Sequence, residues 1–237
     1  PQALVNAINA SNSPYITANK IADGNKTLAA ISTTQKLTGG VNPTVASGDY
    51  TTALSKIETI DWNVLVTDTE DTANHAAIQT YIDRVRDEGK RVMGVVGEPT
   101  SVDLAIRLAN SRAFNDFAMH YVLNGFKIGD ITREGYEAAA RVAGMIAAAD
   151  ITDSLTHAIV ANATEVVGGL TNAQIEQAIQ SGALVFSMNA NKQVQIEYGI
   201  NTFVTPTADM DAGWKKIRRV RTRDNLMDRI AATWDPL

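Results

Sequence analysis

The 237-residue sequence contains no cysteine. That absence excludes disulfides, thiolate metal sites and cysteine nucleophiles together, and it leaves the redox compartment open. Long apolar runs are also missing. A bilayer-crossing helix needs roughly 18 to 20 consecutive apolar residues, and the richest stretch, residues 138–149, is short and interrupted by Arg141. Membrane insertion is therefore not expected. The sequence lacks a basic excess as well: its formal net charge is −5, whereas a dedicated nucleic-acid binder carries a positive contact face. It opens at Pro1 without an initiator Met and without the basic-then-apolar layout of a signal peptide, which fits a piece of a longer product.

Chemical motifs are equally scarce. No Gly-rich turn ends in Lys and Ser or Thr, so no phosphate-cradling loop is expected, and the G-x-G-x-x-G dinucleotide fingerprint is missing. Gly94, Gly97 and Gly125 are read as strand-end turns. The three histidines, His75, His120 and His157, fall in different expected elements with no H-x-x-x-H or H-E-x-x-H pairing. Ser187 follows a strand but has no Gly-x-Ser-x-Gly elbow around it. No catalytic residue, cofactor-binding residue or metal ligand is assigned. The one alternative is the acidic loop Asp68, Glu70 and Asp71 at the carboxyl end of a strand, where ligands of open α/β sheets gather. It could serve an α/β enzyme or a small-ligand-binding domain, or simply cap the next helix.

With 45% hydrophobic residues, the chain can bury one large core or one core plus a smaller lobe. Residues 1–47 are rich in Asn, Ser, Thr and Ala and end in a Gly39-Gly40 and Asn42-Pro43 break. They are read as the end of a preceding region or an insertion. From residue 48 the texture changes. The β-branched run 63–67 predicts a strand, and the apolar spacing of Ala77, Ile78, Tyr81, Ile82 and Val85 predicts an amphipathic helix over 72–88, capped by Asp71 or Thr72 and stopped at Gly89. The unit repeats: a strand over 91–97, then a helix from a Ser101 cap to Arg112 with Val102, Ala105 and Ala109 on one side.

A third strand is expected over 118–123, and a helix over 133–149 with Tyr136, Ala139, Ala140, Ala143 and Ala147 on its packed face. Thr171 and Gln174 form a capping box for a helix closed by Gly182. Residues 183–186 then read as a strand, and the alternation of 193–197, after a turn at 189–192, as a half-exposed antiparallel one. The expected fold is α/β, a mixed and largely parallel sheet covered by helices. Its core is expected over 48–189, followed by a hairpin and a basic helix over 190–237.

That last helix, 214–234, holds Lys215, Lys216, Arg218, Arg219, Arg221, Arg223 and Arg229, seven of the chain's 21 basic residues. Against Asp224, Asp228 and Asp235, residues 214–237 carry +4, which leaves −9 for the rest of the chain. Two readings stand: a solvated helix whose Arg and Lys stems cover its own apolar stripe, or a docking surface for an acidic partner, with a second copy of the acidic body as the economical choice. Lys215, Lys216, Arg218, Arg219, Arg221 and Arg223 are the candidate assembly residues.

The order of segments resembles the contractile tail sheath proteins of myophages, prophages and phage-tail-like bacteriocins. Leu37-Thr38-Gly39-Gly40 leads into Gly48-Asp49-Tyr50-Thr51-Thr52-Ala53-Leu54 and Asn63-Val64-Leu65-Val66. Asp87-Glu88-Gly89-Lys90-Arg91 precedes Gly94-Val95-Val96-Gly97, and 136–147 resembles the family's Ala-Gly helix. The helix 170–182, then Ile196-Glu197-Tyr198-Gly199-Ile200-Asn201-Thr202-Phe203, then Lys216-Ile217-Arg218-Arg219-Val220-Arg221-Thr222-Arg223-Asp224 complete the match. The specificity lies in the order, since no single motif is distinctive. The resemblance implies a non-enzymatic α/β core similar in layout to subtilisin-type proteases but without their triad, with no cofactor. It further implies a subunit that polymerises with copies of itself around a tail tube, meets baseplate and tail terminator proteins, and resides in a virion tail sheath assembled in the bacterial host cytoplasm. Because the family begins earlier and continues beyond the Arg-rich helix, Leu237 is expected to be a truncation, a proteolytic edge or a limit of ordered residues.

Overall fold

The computed structural model describes residues 2–11, 14–22 and 45–234. The chain divides into two compact units, residues 1–44 and 45–237. In the first, helix α1 (Gln2–Ala10) buries none of its residues, and the Asn9 side chain ties it locally to the Ala18 backbone through bonds of 2.8 and 2.9 Å. The Gly-Gly and Asn-Pro break lies outside the described residues.

The second unit is built on a parallel sheet. Strands β1 (Val64–Val66), β2 (Met93–Gly97), β3 (Met119–Val122) and β7 (Ala183–Leu184) pair in that order, all parallel. Helix α2 (Ser47–Ile57) precedes β1, and helices α3 (Thr72–Asp87) and α4 (Leu104–Phe114) connect the first three strands. Every residue of β2 is buried, as befits a central strand covered on both faces. Its side chains alternate between two cores. Met93 and Val95 face the core closed by helix α5 (Gly135–Ala148), while Val92 and Val96 face the one closed by α3 and α4. Burying a residue such as Ile82 or Val142 completely contributes about 1.5–3 kcal/mol, and both are fully inaccessible.

Antiparallel pairing sits outside this sheet. Strands β4 (Gly125–Ile128), β5 (Ile131–Arg133) and β6 (Glu165–Val167) form a separate three-stranded sheet, and β8 (Phe186–Met188) pairs with β9 (Val194–Ile196) in a two-stranded one. The run expected as one strand over 183–186 is thus two: at Val185 the chain leaves the parallel sheet and enters the hairpin. Helix α6 (Asn172–Gln180) has the expected cap, with Thr171 Oγ1 accepting from the Gln174 N–H at 3.3 Å, and Gly182 adopts φ +80 just past its end.

Two helices turn differently from expectation. Helix α4 is capped by Asp103, whose carboxylate accepts from the Ala105 N–H at 2.8 Å, and not by Ser101. Its inward face is Leu104, Arg107, Leu108 and Ser111, one 3.6-residue stripe, whereas Val102 lies before the helix and Ala105 and Ala109 are exposed. Helix α5 buries Gly135, Ala138, Ala139, Val142, Ala143 and Ile146, leaving Ala140 and Ala147 exposed. Its entry is set by backbone proximity. A Cβ on Gly97 would lie 2.4 Å from the Gly135 carbonyl oxygen, so the end of β2 and the start of α5 approach only because both residues are glycine. Gly97 does end its strand, whereas Gly94 lies inside β2 and Gly125 opens β4.

Candidate assembly surface

The basic segment begins in a short 3-10 turn, Ala212–Lys215, and continues as helix α7, Ile217–Trp234. What docks it is an acidic residue. Asp224 receives two bonds from Arg86 of α3, at 3.0 and 2.9 Å, with both side chains 6% exposed. Arg86 also donates to the Val92 carbonyl at 2.7 Å and lies over the Phe117 ring. Nη2 thus spans both Asp224 carboxylate oxygens while Nη1 holds the Val92 carbonyl, and these charge-assisted bonds together fix the guanidinium. Ile217 and Val220, fully buried beside Asp224, complete the docked face. Beyond Asp224 every described residue of the helix is exposed, including Leu226, Met227, Ile230 and Trp234.

The six candidate residues divide by what they touch. Lys215 Nζ donates to the Ile179 carbonyl and, at 3.4 Å, to that of Gln180, satisfying the end of α6. Arg221 serves α5 likewise, through bonds of 3.0 Å to the Asp150 carbonyl and 2.5 Å to that of Ala149. Lys216 sits 3.3 Å from the centre of the Tyr198 ring, and Arg223 lies over Trp214 while pairing with Asp224 at 3.2 Å. Burial, aided by neighbouring Arg112 for Lys215 and Arg218 for Lys216, lowers both lysines from their ordinary range. Arg219 forms an exposed ion pair with Asp211 at 3.2 Å. The Arg218 guanidinium has no partner among the described residues.

Together Lys216, Arg218, Arg219 and Arg223 line an open groove of about 850 Å³ whose opposite wall holds Thr152, Ser154 and Thr156. No acidic side chain lines it, so the groove suits an anionic segment. In the sequence Asp224 is a charge to subtract and the last residue of the Arg-rich segment, with no sign of an anchoring role. Nothing local distinguishes it from Asp228, one turn later and exposed; its partner lies 138 residues away.

The acidic loop after β1 is occupied structurally. Asp71 caps α3 by accepting from the Ala73 N–H at 2.9 Å. Thr69 is buried, its hydroxyl accepting from Asn74 at 3.2 Å and its carbonyl from His75 at 2.8 Å. Asp68 borders a nearly apolar cavity of about 520 Å³ between α2, β1 and α5. His75, His120 and His157 stand on α3, on β3 and in a loop, and no group of three or more metal-ligating side chains converges among the described residues. Ser187 donates to Glu197 across the β8–β9 hairpin.

Comparison with known proteins adds what geometry alone does not. Residues 44–202 match the model of the phage tail sheath protein central domain. The tail sheath protein of Clostridium phage phiCD119 is 28% identical over 72% of this chain and 44% of its own length. The crystal structure of the sheath tail protein of Desulfitobacterium hafniense superposes with a TM-score of 0.73 at 28% identity, covering 88% of this chain and 51% of that one. The helical sheath of the anti-feeding prophage in its contracted state shares the fold alone, with a TM-score of 0.53 at 12% identity over 80% of this chain and 51% of that one. The chain spans less than half the length of the curated relatives it matches. With the family model covering residues 44–202 and the chain superposing on a sheath protein at 28% identity, the chain belongs to the phage tail sheath protein family.

Proposed function

We propose that this chain is the central part of a structural subunit of a contractile tail sheath, one that polymerises with copies of itself around a tail tube and shortens to drive the tube through a host cell envelope. The family match over residues 44–202 carries this reading. In this reading the subunit acts without catalysis or a cofactor: of the loop best placed for chemistry, Asp68–Asp71, Asp71 caps α3 and Thr69 is held by Asn74 and His75. Its further partners are the tube, baseplate and tail terminator proteins, and its place is a virion tail sheath put together in the host cytoplasm. Residues 48–189 form the sheath core, and 190–237 lead out of it.

Lys216, Arg218, Arg219 and Arg223 supply an assembly surface for an acidic segment of a neighbouring subunit. Support comes from the groove's all-basic charge and from the −9 carried by the rest of the chain. Negative-stain electron microscopy of the full-length gene product tests the reading. Rings or tubes are expected; uniform small particles with ligand-dependent stabilisation would favour an enzyme or ligand-binding domain. Tight, salt-sensitive DNA binding would count against an assembly role for the basic groove.

A further inference from the structure

The basic groove on α7 and the acidic loop after β1 stand at opposite ends of the parallel sheet. β1 runs from Val64 to Val66, so Asp68, Glu70 and Asp71 lie just past its carboxyl end. Helix α5 starts at that same end, where Gly135 meets Gly97, and finishes at the amino end, where the Ala149 and Asp150 carbonyls accept from Arg221. Arg86, in the last turn of α3, holds Asp224 beside the Val92 carbonyl just ahead of β2. The Asn201 N–H donates to the Lys215 carbonyl and the Thr202 N–H to that of Met119, the first residue of β3, both at 2.9 Å. The basic part of α7 is therefore fixed at the amino end, and within one subunit it cannot meet the loop.

The two surfaces carry opposite, uncompensated charge. No Lys or Arg lies between Lys56 and Arg84 in the sequence. Asp68, Glu70 and Asp71 are exposed, and among the described residues none of the three belongs to an ion pair. Their recorded donors are neutral: the Tyr136 hydroxyl for Glu70 and the Ala73 N–H for Asp71, which satisfy hydrogen bonds and leave the charge in place. In the groove, Arg218 is unpaired among the described residues and Arg219 has only its exposed pair with Asp211. The facing wall adds donors. Ser154 Oγ accepts from the Thr156 N–H at 3.2 Å and Thr156 Oγ1 from the Gly199 N–H at 3.0 Å, so each hydroxyl keeps its own proton to give. A carboxylate entering there meets cations on one side and O–H donors on the other, the setting in which charge-assisted bonds are strong.

We propose that the loop Asp68–Asp71 of a second copy of this chain occupies the Lys216–Arg223 groove, with Asp68 and Glu70 carrying the contact while Asp71 stays on the α3 cap. That a second copy supplies the loop rests on the self-assembly reading above; the loop is the acidic segment which that reading leaves unnamed. Each subunit then offers an acidic loop at one end of its sheet and a basic groove at the other. A contact between two different surfaces is head-to-tail, and it propagates into a ring or an open helical array instead of closing into a dimer. Complementary charge fixes which surfaces meet and speeds the encounter, even where each exposed pair adds little affinity.

The test is a charge swap in the full-length product, scored as tube yield by electron microscopy at matched protein concentration. Asp68→Lys with Glu70→Lys, and separately Arg218→Glu with Arg219→Glu, should each lower the yield about tenfold or more while melting as wild type does, because exposed charges contribute little to the fold. All four substitutions together should recover most of the tubes. Asp130→Lys with Glu176→Lys, at exposed acids on other elements, restores the same net charge to the arginine mutant and should recover none. If D68K/E70K melts below wild type, Asp68→Asn with Glu70→Gln removes the charges without reversing them and should still lower the yield. Wild-type yield from the loop variants, or equal recovery by D130K/E176K, overturns the loop as the occupant. Loss of tubes in the arginine mutant alone has the same meaning and leaves the groove to another acidic segment. A wild-type product that never forms tubes contradicts the self-assembly reading itself, a failure distinct from that of the loop.

Discussion

The two halves of α7 carry the same kind of sequence and meet different fates. Ile217, Val220 and Asp224 continue into Met227, Ile230 and Trp234 at helical spacing, yet the first three are buried and the last three exposed. Periodicity fixes which face of a helix is apolar; it does not say how far along the helix something covers that face. The boundary falls at the Arg86–Asp224 pair, the last buried anchor to the α/β core; beyond it Asp228 reaches back only through a partly exposed 3.8 Å ion pair with Arg91. Upstream of it the basic residues are largely spent on the molecule itself, capping α5 and α6 or lying over Tyr198 and Trp214. The exposed Arg218 is the exception, and Arg219 makes only an exposed pair with Asp211.

The largest way to break this contrast is to remove the anchor. Asp224→Ala leaves Arg86 buried and unpaired, and breaking a buried pair costs about 3–5 kcal/mol. Urea melts should show that loss, and Arg86→Met with Asp224→Leu should recover much of it; a single mutant within about 1 kcal/mol of wild type would mean that the pair does not hold α7. Next in size is the contrast between the halves. Ile217→Ala should cost about 2–5 kcal/mol as a buried large-to-small change, whereas Ile230→Ala should stay within about 0.5 kcal/mol. Equal costs would place a hidden partner on the second half.

Acid should discriminate the sheet from α7 as well. His120 on β3 is wholly buried, its Nδ1 3.0 Å from the Gly94 carbonyl oxygen, and desolvation lowers its pKa from 6.5 to about 4. Over that window the unfolded chain binds more protons than the folded one, so stability is complete above pH 6.5 and falls as the pH drops toward 4. By pH 4.5 the loss is about 2–3 kcal/mol, with His75 acting in the same direction. Asp83, raised to about 7 by burial and by neighbouring Asp116, opposes it because its folded state binds the extra proton. Melts from pH 7.5 to 4.5 in an Asp83→Asn background isolate the histidine effect; a flat profile there would refute it.

The parallel core was legible because each of its signals is local: the β-branched runs of β1 and β2, the Thr171–Gln174 capping box and the Gly182 stop. The β4–β5 hairpin was not, since its strands are four and three residues long and mix Lys127, Thr132 and Arg133 with apolar residues. The change of sheet at Val185 is invisible in the continuous run Ala183-Leu184-Val185-Phe186, where burial on both sides erases alternation. The basic segment was located correctly in sequence, but the roles of its members depend on carbonyls at the ends of α5 and α6 that no spacing reveals. Arg221 illustrates the point: charge counting groups it with Arg218 and Arg219, whereas its contacts make it a structural residue.

The smallest expected effect on stability is also the sharpest on function. Arg218 and Arg219 are exposed, and surface charges of this kind contribute about 0–1 kcal/mol to the fold. Reversing both to Glu in the full-length product, with Arg221 left intact, and counting sheath tubes by electron microscopy at matched protein concentration tests the account most directly. Loss of tubes with an unchanged melting temperature is the result expected of an assembly surface; wild-type tube yield from the double mutant would contradict it.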